Sequence, residues 1–443
     1  MMITTNQVEG EATQRLVAVD GAELEFQRIK TAIHEELVES LDLSMIGQID
    51  EEQLRSEIIR LAEELCRFRR KTLKDIDQQR MIAELVDEVF GLGPLEVLMR
   101  DPSVSDILVN NAHQVYVERQ GRLELTDVVF ADDQHVLRII QRIVAQVGRR
   151  IDEVSPMVDA RLPDGSRINA VVPPLALSGP KLSIRRFGIS PLTIGDLTAN
   201  GSVLPQMVDF LAAAVESRIS FLISGGTGSG KTTLMDALSA FIPHDERIVT
   251  IEDSAELILQ HPHVVRMETR NPNTEGSGEI SQRDLVRNSL RMRPDRILIG
   301  EVRGAEALDM LQAMNTGHEG SLTTIHANDT LDALARLEMM VAMTGFDMPI
   351  SVVRQYITAG ITLVVHLARL KGGARRVMRI SEIVELENDT FQTNDIFGFE
   401  QTGIKNGEAV GRFYATGYRP KCLDRLRASG ADLSEEIFAT ATF

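Results

Sequence analysis

The 443-residue sequence predicts an α/β domain with a parallel sheet, preceded by a smaller α+β domain and an N-terminal helical region. Three patterns predict this order. Apolar residues first recur every three or four positions, short β runs with turn residues follow, and apolar strand runs alternate with helix patterns beyond Leu204. Such alternation is typical of a parallel, helix-covered sheet. The predicted boundaries are 1–21 for a disordered tail, 22–80 for the helical region, 81–190 for the α+β domain, 191–203 for a linker and 204–443 for the α/β domain.

Bulk composition limits the classes of function. Hydrophobic residues make up 43% and charged residues 25%, as in soluble globular proteins, and the net charge of -18 disfavours a nucleic acid as partner. Cys66 and Cys422 lie far apart without metal or redox spacing, which indicates buried thiols. The N-terminus lacks the order of a signal peptide, and the apolar run around 356–368 is shorter than the roughly 20 residues that cross a bilayer. Any membrane association is therefore expected to be peripheral and through partners.

The first 90 residues contain three apolar stripes at helical spacing. Packing of these helices on one another is the favoured interpretation, and a coiled-coil seam for a partner is the alternative. The third helix is predicted to end at Gly91. The stripes comprise Phe26, Ile29, Ile33, Leu37 and Leu41, then Leu54, Ile58, Leu61, Leu65 and Phe68, then Ile82, Leu85 and Val89.

The remaining elements follow from local patterns. In the α+β domain a helix is predicted over 134–147, between short β runs. Gly195, Asn200 and Gly201 mark the linker. In the α/β domain, strands are predicted over 221–224, 248–251, 297–299, 321–325 and 363–367, followed by a hairpin at Gly372-Gly373 and a less regular tail.

The strongest motif is GGTGSGKT, from Gly225 to Thr232, between an apolar strand and a helix predicted over 233–241. Glycines in such a loop let backbone N–H groups converge on phosphates at a helix N-terminus. Lys231 would place its charge on the β and γ phosphates, and Thr232 would offer its hydroxyl to Mg²⁺. The sequence thus predicts a RecA-like P-loop ATPase that uses ATP and Mg²⁺. The predicted nucleotide-binding residues are Gly226, Thr227, Gly228, Ser229, Gly230, Lys231, Thr232 and Thr233.

Two further strands are each followed by an acid. Glu252 follows the strand over 248–251, and Glu301 follows the strand over 297–299. One acid is expected to hold Mg²⁺ through water and the other to orient or deprotonate the attacking water, but the pattern does not assign the two roles. Thr232, Glu252 and Glu301 are the predicted metal-binding residues. Either acid alone could instead cap a helix.

The segment TGHEGSLTTIHAN, from Thr316 to Asn328, places His318 and His326 on either side of a short strand. Two histidines beside a third strand of the site could sense the γ-phosphate or link neighbouring sites. A metal site is less favoured because no Cys or third His lies near.

Together these motifs resemble the secretion ATPase superfamily, which powers type II secretion, type IV pili and type IV secretion. The resemblance covers the chain from about Gly91 onward. It is closest to the tight-adherence (Tad) pilus ATPases, on the segments DARLPDGSRIN (159–169), KLSIRRF (181–187), ETR (268–270) and Glu275-Gly276. No CxxC…CxxC zinc module is present in the sequence, which argues against the type II secretion branch.

This resemblance implies a homohexamer with a nucleotide between the two domains of each chain. It implies that Glu252 lies in the Asp box, Glu301 in Walker B and both histidines in the His box. Arginines of the N-terminal domain would close the site, and hydrolysis would drive an inner-membrane platform protein that adds or removes pilin, at the cytoplasmic face of the inner membrane. The candidate arginines are Arg161, Arg167, Arg185, Arg186, Arg266 and Arg270, of which Arg161, Arg185 and Arg270 are predicted to be catalytic.

Four other functions remain as alternatives. The first is an ATPase of the type IV secretion branch. A RecA-type nucleic-acid translocase is disfavoured by the acidity and by the 4% aromatic content. An ABC-type ATPase is disfavoured because its signature does not follow the P-loop. A regulatory switch that binds ATP without turnover would be excluded by steady-state hydrolysis.

Overall fold

The computed structural model describes residues 21–40, 51–68, 77–119, 121–187, 191–270, 272, 277–346, 348–387 and 390–443. The chain divides into two compact units, residues 1–189 and 190–443. The boundary falls next to the predicted linker. Most of the tail predicted over 1–21, as well as Leu41 and Glu275-Gly276, lies outside the described residues.

The first unit begins with a layer of three helices. Apolar residues of all three form one buried cluster, which includes Ile33, Ile58 and Leu85. The helices therefore pack on one another, as the favoured interpretation of the stripes requires. They are α1 (Gly21–Ser40), α2 (Glu51–Phe68) and α3 (Gln78–Phe90).

A six-stranded antiparallel sheet completes the first unit, with strand order β3-β2-β1-β6-β5-β4. Its alternating buried residues pack against α5, whose first turn is capped by Asp132. His135 of α5 contacts Glu88 of α3 at 2.6 Å, which ties the helical layer to the sheet layer. The elements are α4 (Glu96–Arg100), β1 (Val104–Asn111), β2 (Gln114–Arg119), β3 (Arg122–Leu125), α5 (Asp133–Gln146), β4 (Met157–Arg161), β5 (Arg167–Val171) and β6 (Lys181–Arg185), with a 3-10 helix at Gly93–Leu95.

The second unit is built on a ten-stranded sheet of order β16-β15-β14-β13-β12-β7-β11-β10-β8-β9. Strands β12, β7, β11, β10, β8 and β9 run parallel, so their carboxyl ends share one edge. Two apolar clusters bury this sheet. The predicted α/β fold is confirmed. The helices are α6 (Ile194–Ala199), α7 (Pro205–Glu216), α8 (Lys231–Ser239), α9 (Gln282–Ser289), α10 (Glu306–Asn315), α11 (Thr330–Ala342), α12 (Ile350–Gly360) and α13 (Leu423–Ala428), with a 3-10 helix at Glu435–Phe438.

Four antiparallel strands extend the parallel part of this sheet. The sequence pattern predicted a hairpin and a less regular tail here, and it also missed the edge strand β9. The strands are β7 (Phe221–Gly225), β8 (Ile248–Glu252), β9 (Val264–Glu268), β10 (Arg296–Ile299), β11 (Leu322–Ile325), β12 (Leu363–Arg369), β13 (Arg375–Glu387), β14 (Thr390–Lys405), β15 (Glu408–Ala415) and β16 (Ala441–Thr442).

The segment predicted as a linker, 191–203, contains a short helix. Thr193 and Asp196 form a reciprocal capping box at its start, and Leu197 is buried in the core of the second unit. Asn200 and Gly201, which the pattern assigned to a linker, instead end this helix. Most of this segment is therefore structured as part of the second unit.

Candidate functional site: the carboxyl edge of the parallel sheet

The glycine loop connects buried β7 to α8 at the carboxyl edge. Gly225 has φ +154°, and a Cβ atom there would lie 2.3 Å from the carbonyl oxygen of Leu367. Gly230 has φ +97° and immediately precedes Lys231, the first residue of α8. Glycine is the residue that tolerates both backbone positions. The loop can therefore adopt the conformation in which its N–H groups and the N-terminus of α8 point to one phosphate site.

Lys231 is buried although it carries a charge. Its Nζ donates to the carbonyl oxygens of Gly225 and Gly226, both at 3.1 Å. The ammonium is therefore held against the loop, where it can meet phosphate oxygens. Ser229 is buried as well, and its Oγ has no hydrogen-bond partner among the described residues. Thr227 and Gly228 lie in the same loop, whereas Thr232 and Thr233 lie in the first turn of α8.

Side chains from three neighbouring strand ends continue the site beyond the loop. The imidazole Nε2 of His326, which follows β11, lies 3.4 Å from Lys231 Nζ and 3.2 Å from Glu301 Oε1. Burial and the adjacent Lys231 lower the pKa of His326. In a neutral imidazole, Nε2 accepts a hydrogen bond from the ammonium when the ring proton is on Nδ1. It donates a hydrogen bond to the carboxylate when the ring proton is on Nε2. Lys231, His326 and Glu301 thus form a continuous polar line across strands β7, β11 and β10.

Glu252, at the end of β8, extends this line to a fourth strand. Its side chain is buried, and its Oε2 accepts hydrogen bonds from the backbone N–H groups of Glu256 and Leu257 at 2.7 and 2.8 Å. Its Oε1 has no partner among the described residues. A Cβ atom on Gly300 would lie 3.0 Å from Glu252 Cγ, so only a small residue fits beside this acid. Burial raises the pKa of the Glu252 carboxyl.

Arg303 connects the two acidic segments, a contact that the sequence pattern did not reveal. Its guanidinium donates to Glu301 Oε2 at 3.0 Å and to Asp253 Oδ2 at 2.9 Å. It therefore holds Glu301 beside His326 and offsets part of the negative charge at this edge.

His318 is not part of this constellation. It precedes β11, whereas His326 follows it, so the two histidines lie at opposite ends of a strand in a parallel sheet. The N–H of the neighbouring Gly320 donates a hydrogen bond to the Oγ of Ser220, which immediately precedes β7. Within the chain, His326 therefore lies beside Lys231 and Glu301, whereas His318 lies at the other edge of the sheet, and its predicted role in sensing phosphate or linking neighbouring sites stays a prediction.

The predicted arginines occupy two different units. Arg270 follows β9 in the second unit, is exposed, and donates from Nε to the carbonyl oxygen of Gly278 at 2.6 Å. Arg161 and Arg185 end β4 and β6 in the first unit, and Arg185 is exposed. Their predicted action on a nucleotide stays a prediction.

Asp236 of α8 is a second buried acid near Glu252. Its Oδ1 accepts from the backbone N–H of Ile258 at 3.0 Å, directly after the two amides that bind Glu252. Burial raises the pKa of Asp236 to about 7, and the nearby charge of Glu252 adds to the shift. Two acids with raised pKa values therefore hold the segment 256–258 under the site.

We predict that Asp236→Asn changes the pH dependence of stability. A carboxyl whose pKa is raised by folding stabilises the fold below its unfolded pKa near 4, and this contribution is lost as the pH rises through about 7. The loss amounts to up to about 4 kcal/mol, and Asn removes it while keeping an oxygen acceptor for Ile258. The melting temperature of the variant relative to that of the wild type should be higher at pH 8 than at pH 5. Asp245→Asn, at an exposed acid, is the control, and an equal difference at both pH values would contradict the prediction.

Comparison with known proteins connects this geometry to a family. The family model described as "Type II/IV secretion system protein" matches residues 88–410. The chain belongs to this family. The resemblance to the secretion ATPase superfamily is thereby confirmed.

The similarity to individual members of this family covers most of the chain. A putative conjugal transfer protein of Mycobacterium tuberculosis is 39% identical over 321 residues, covering 71% of this chain and 91% of the relative. The conjugal transfer protein TrbB of Rhizobium radiobacter is 32% identical over 327 residues, covering 73% and 96%. A crystal structure of the VirB11 ATPase of Brucella suis, in complex with sulphate, is 30% identical, covering 66% of this chain and 97% of that one, with a TM-score of 0.36.

The described helices and the described acidic, histidine and cysteine side chains bear on membranes and metals. None of the described helices is both long and apolar enough to span a bilayer. No group of three or more His, Cys, Asp or Glu side chains that could hold a metal ion occurs among the described residues. This result is compatible with Mg²⁺, which P-loop sites bind through few protein ligands together with phosphates and waters.

Proposed function

We propose that the chain is an ATP-hydrolysing motor of a secretion or pilus system. The observation that carries the proposal is the placement of Lys231, His326, Glu301 and Glu252 at four adjacent strand ends, β7-β11-β10-β8. A cationic glycine loop next to two acids is the arrangement that phosphoryl transfer requires, because the catalytic work is mainly positioning and electrostatic stabilisation.

Mg²⁺ fits the residues at this edge. The hydroxyl of Thr232 in the first turn of α8 and the carboxylate of Glu301 after β10 supply oxygen ligands, which Mg²⁺ prefers. Thr232 and one acid, Glu301 or Glu252, would hold the ion, directly or through water. When bound, the ion would neutralise charge on the phosphate oxygens.

The environments of the two acids support different roles. Glu252 has one oxygen fixed by two amides, the other without a partner, and a raised pKa, which suits a group that orients water and accepts its proton. Glu301 is fixed by Arg303 and lies beside His326, which suits charge balance at the phosphates and Mg²⁺. We therefore assign the base to Glu252 and the metal-side acid to Glu301.

For the biological process, we propose assembly of a Tad or type IV-like pilus, with retraction as the alternative direction of work. The motif segments at 159–169 and 181–187 support this branch by resemblance. The motor would be a homohexamer that acts on platform proteins at the cytoplasmic face of the inner membrane. Transport by a type IV secretion or conjugation system is the second candidate, supported by the similarity to proteins described as conjugal transfer proteins.

A concentration series tests the ring. If arginines of a neighbouring copy complete the site, ATP turnover per chain should rise with protein concentration, in step with sedimentation of a hexamer. Arg161→Ala, Arg185→Ala and Arg270→Ala should each lower turnover at saturating protein, by roughly tenfold or more for an arginine that contacts the phosphates. The controls replace exposed arginines that form ion pairs elsewhere: Arg150→Ala, which loses the pair with Asp152 in the first unit, and Arg412→Ala, which loses the pair with Glu400 in the second.

Two results would count against this proposal in different ways. A fully active monomer, with normal turnover in all three arginine variants, would remove the ring and leave a P-loop ATPase. Stimulation of turnover by single-stranded DNA would instead favour the translocase.

A further inference from the structure

The start of β13 contacts the glycine loop on one side and the segment that follows the first unit on the other. Arg375 donates from Nε to the carbonyl oxygen of Gly228 at 2.9 Å. The next residue, Arg376, donates from a terminal guanidinium nitrogen to the carbonyl oxygen of Asn200 at 3.3 Å. Successive side chains of a strand point to opposite faces, so one step along β13 joins two distant segments.

The contact with the loop is close and directed. A Cβ atom on Gly230 would lie 3.4 Å from Arg375 Cδ, so the arginine stem packs along the turn that starts α8. By binding the carbonyl of Gly228, Arg375 fixes the orientation of the following peptide unit. In a loop whose N–H groups bind phosphate, the carbonyls must turn away, and Arg375 favours that state.

The contact with the segment 193–203 involves the backbone. The N–H of Val377 donates to the carbonyl oxygen of Ser202 at 2.9 Å, and Val377 is buried. Ser202 is held in turn by Asn200, whose Oδ1 accepts from the Ser202 N–H and hydroxyl at 2.9 and 2.6 Å. A displacement of β13 therefore cannot leave residues 200–202 unchanged.

The hairpin that carries Arg375 and Arg376 is hydrogen-bonded to neighbouring strands on both sides. β12 pairs with β7 up to Leu367 and Gly225, and β13 returns from the turn at Arg375 opposite Arg369. The carbonyl oxygen of Lys371 in that turn accepts from the N–H of Ala409 at 2.8 Å. The glycine loop and residues 200–202 therefore contact the same braced hairpin.

We propose that Arg375 is a positioning residue of the glycine loop, and that Arg375, Arg376 and Val377 transmit nucleotide occupancy of this loop to residues 193–203. The inference rests on the proposed function, since it requires that the loop bind a nucleotide. It adds a path, inside one chain, from the phosphates to the first helix of the second unit and the turn that follows it.

Hydrogen exchange of the intact protein tests the path. With a non-hydrolysable ATP analogue and Mg²⁺, amides in 193–203 of the wild type should exchange several-fold more slowly than without nucleotide. Arg376→Met keeps the aliphatic stem and removes the donor to Asn200. It should bind the analogue within about twofold of wild-type affinity, yet lose a large part of the protection of 193–203, because only the backbone contact of Val377 with Ser202 remains.

The second arm tests the positioning role of Arg375. Arg375→Met should weaken binding of the analogue by roughly tenfold, as expected for loss of a hydrogen bond from a charged group. Arg375→Lys, which keeps a donor, should restore part of that affinity. Arg379→Met is the matched control, because Arg379 is on the same strand but pairs with Asp395.

The possible outcomes separate the two ideas. A wild type that binds the analogue without protection of 193–203, or an Arg376→Met variant that keeps full protection, overturns the path while the nucleotide site stands. Wild-type affinity in a folded Arg375→Met variant overturns the positioning role. A wild type that does not bind the analogue at all overturns the proposed function, and the inference with it.

Discussion

Lys231→Ala is expected to remove ATP turnover, with a loss on the order of 10³-fold or more. The ammonium lies within 3.1 Å of two loop carbonyls and next to His326, so it is the cation of the proposed phosphate site. Alanine at the first turn of α8 keeps helix propensity and removes little apolar packing. The fold is therefore expected to persist. Steady-state phosphate release at saturating ATP measures the effect.

A lysine far from the loop provides the control for this variant. Lys405, at the end of β14, is exposed, and Lys405→Ala should retain wild-type turnover. Circular dichroism and the melting temperature of Lys231→Ala would show that the second unit remains folded. Near wild-type hydrolysis in a folded Lys231→Ala protein would contradict the assignment of this loop as the phosphate site.

Local patterns explain why much of this site could be predicted from the sequence. The glycine loop, the strand before it and the helix after it are contiguous, and each has its own periodicity or turn chemistry. Glu252 and Glu301 follow apolar runs directly, so their position at strand ends required only the parallel-sheet assumption. The sheet order then places them beside His326 and Lys231.

Contacts between distant segments could not be predicted in this way. Arg375 reaches Gly228 across 147 positions of the chain, and nothing local marks it among the many arginines. Asp236 looks like an ordinary polar residue of a helix until its burial is known. His318 precedes β11 and His326 follows it, so a parallel sheet places these two histidines at opposite edges.

The C-terminal strands show a second limit. β14 runs over 16 residues with an irregular burial pattern, because its later part is largely exposed on both faces. Period-two alternation is weak in such a strand, so the sequence gives little sign of it. The hairpin at Gly372-Gly373 could be predicted because paired glycines are typical of tight turns. Both glycines have positive φ, which glycine adopts without strain.

Glu252→Gln and Glu301→Gln are both expected to lower ATP turnover severely, by roughly 10²-fold or more, while ATP binding stays measurable. Glutamine keeps the size of each side chain and removes its charge. In Glu252→Gln, the amide oxygen can still accept from Glu256 and Leu257, so the local backbone should hold and only proton acceptance is lost. In Glu301→Gln, the ion pair with Arg303 and the contact with His326 weaken.

Paired measurements of turnover and binding separate the two acids. Because Glu301 is proposed to act on the metal side, Glu301→Gln should raise the Mg²⁺ concentration needed for half-maximal turnover, whereas Glu252→Gln should leave it near the wild-type value. Glu319→Gln is the control, since Glu319 pairs with Arg425 before β11, at the opposite edge of the sheet. If one glutamine variant binds ATP and still turns it over at nearly the full rate, that acid only caps the adjacent backbone. The proposed pair of catalytic acids would then be wrong.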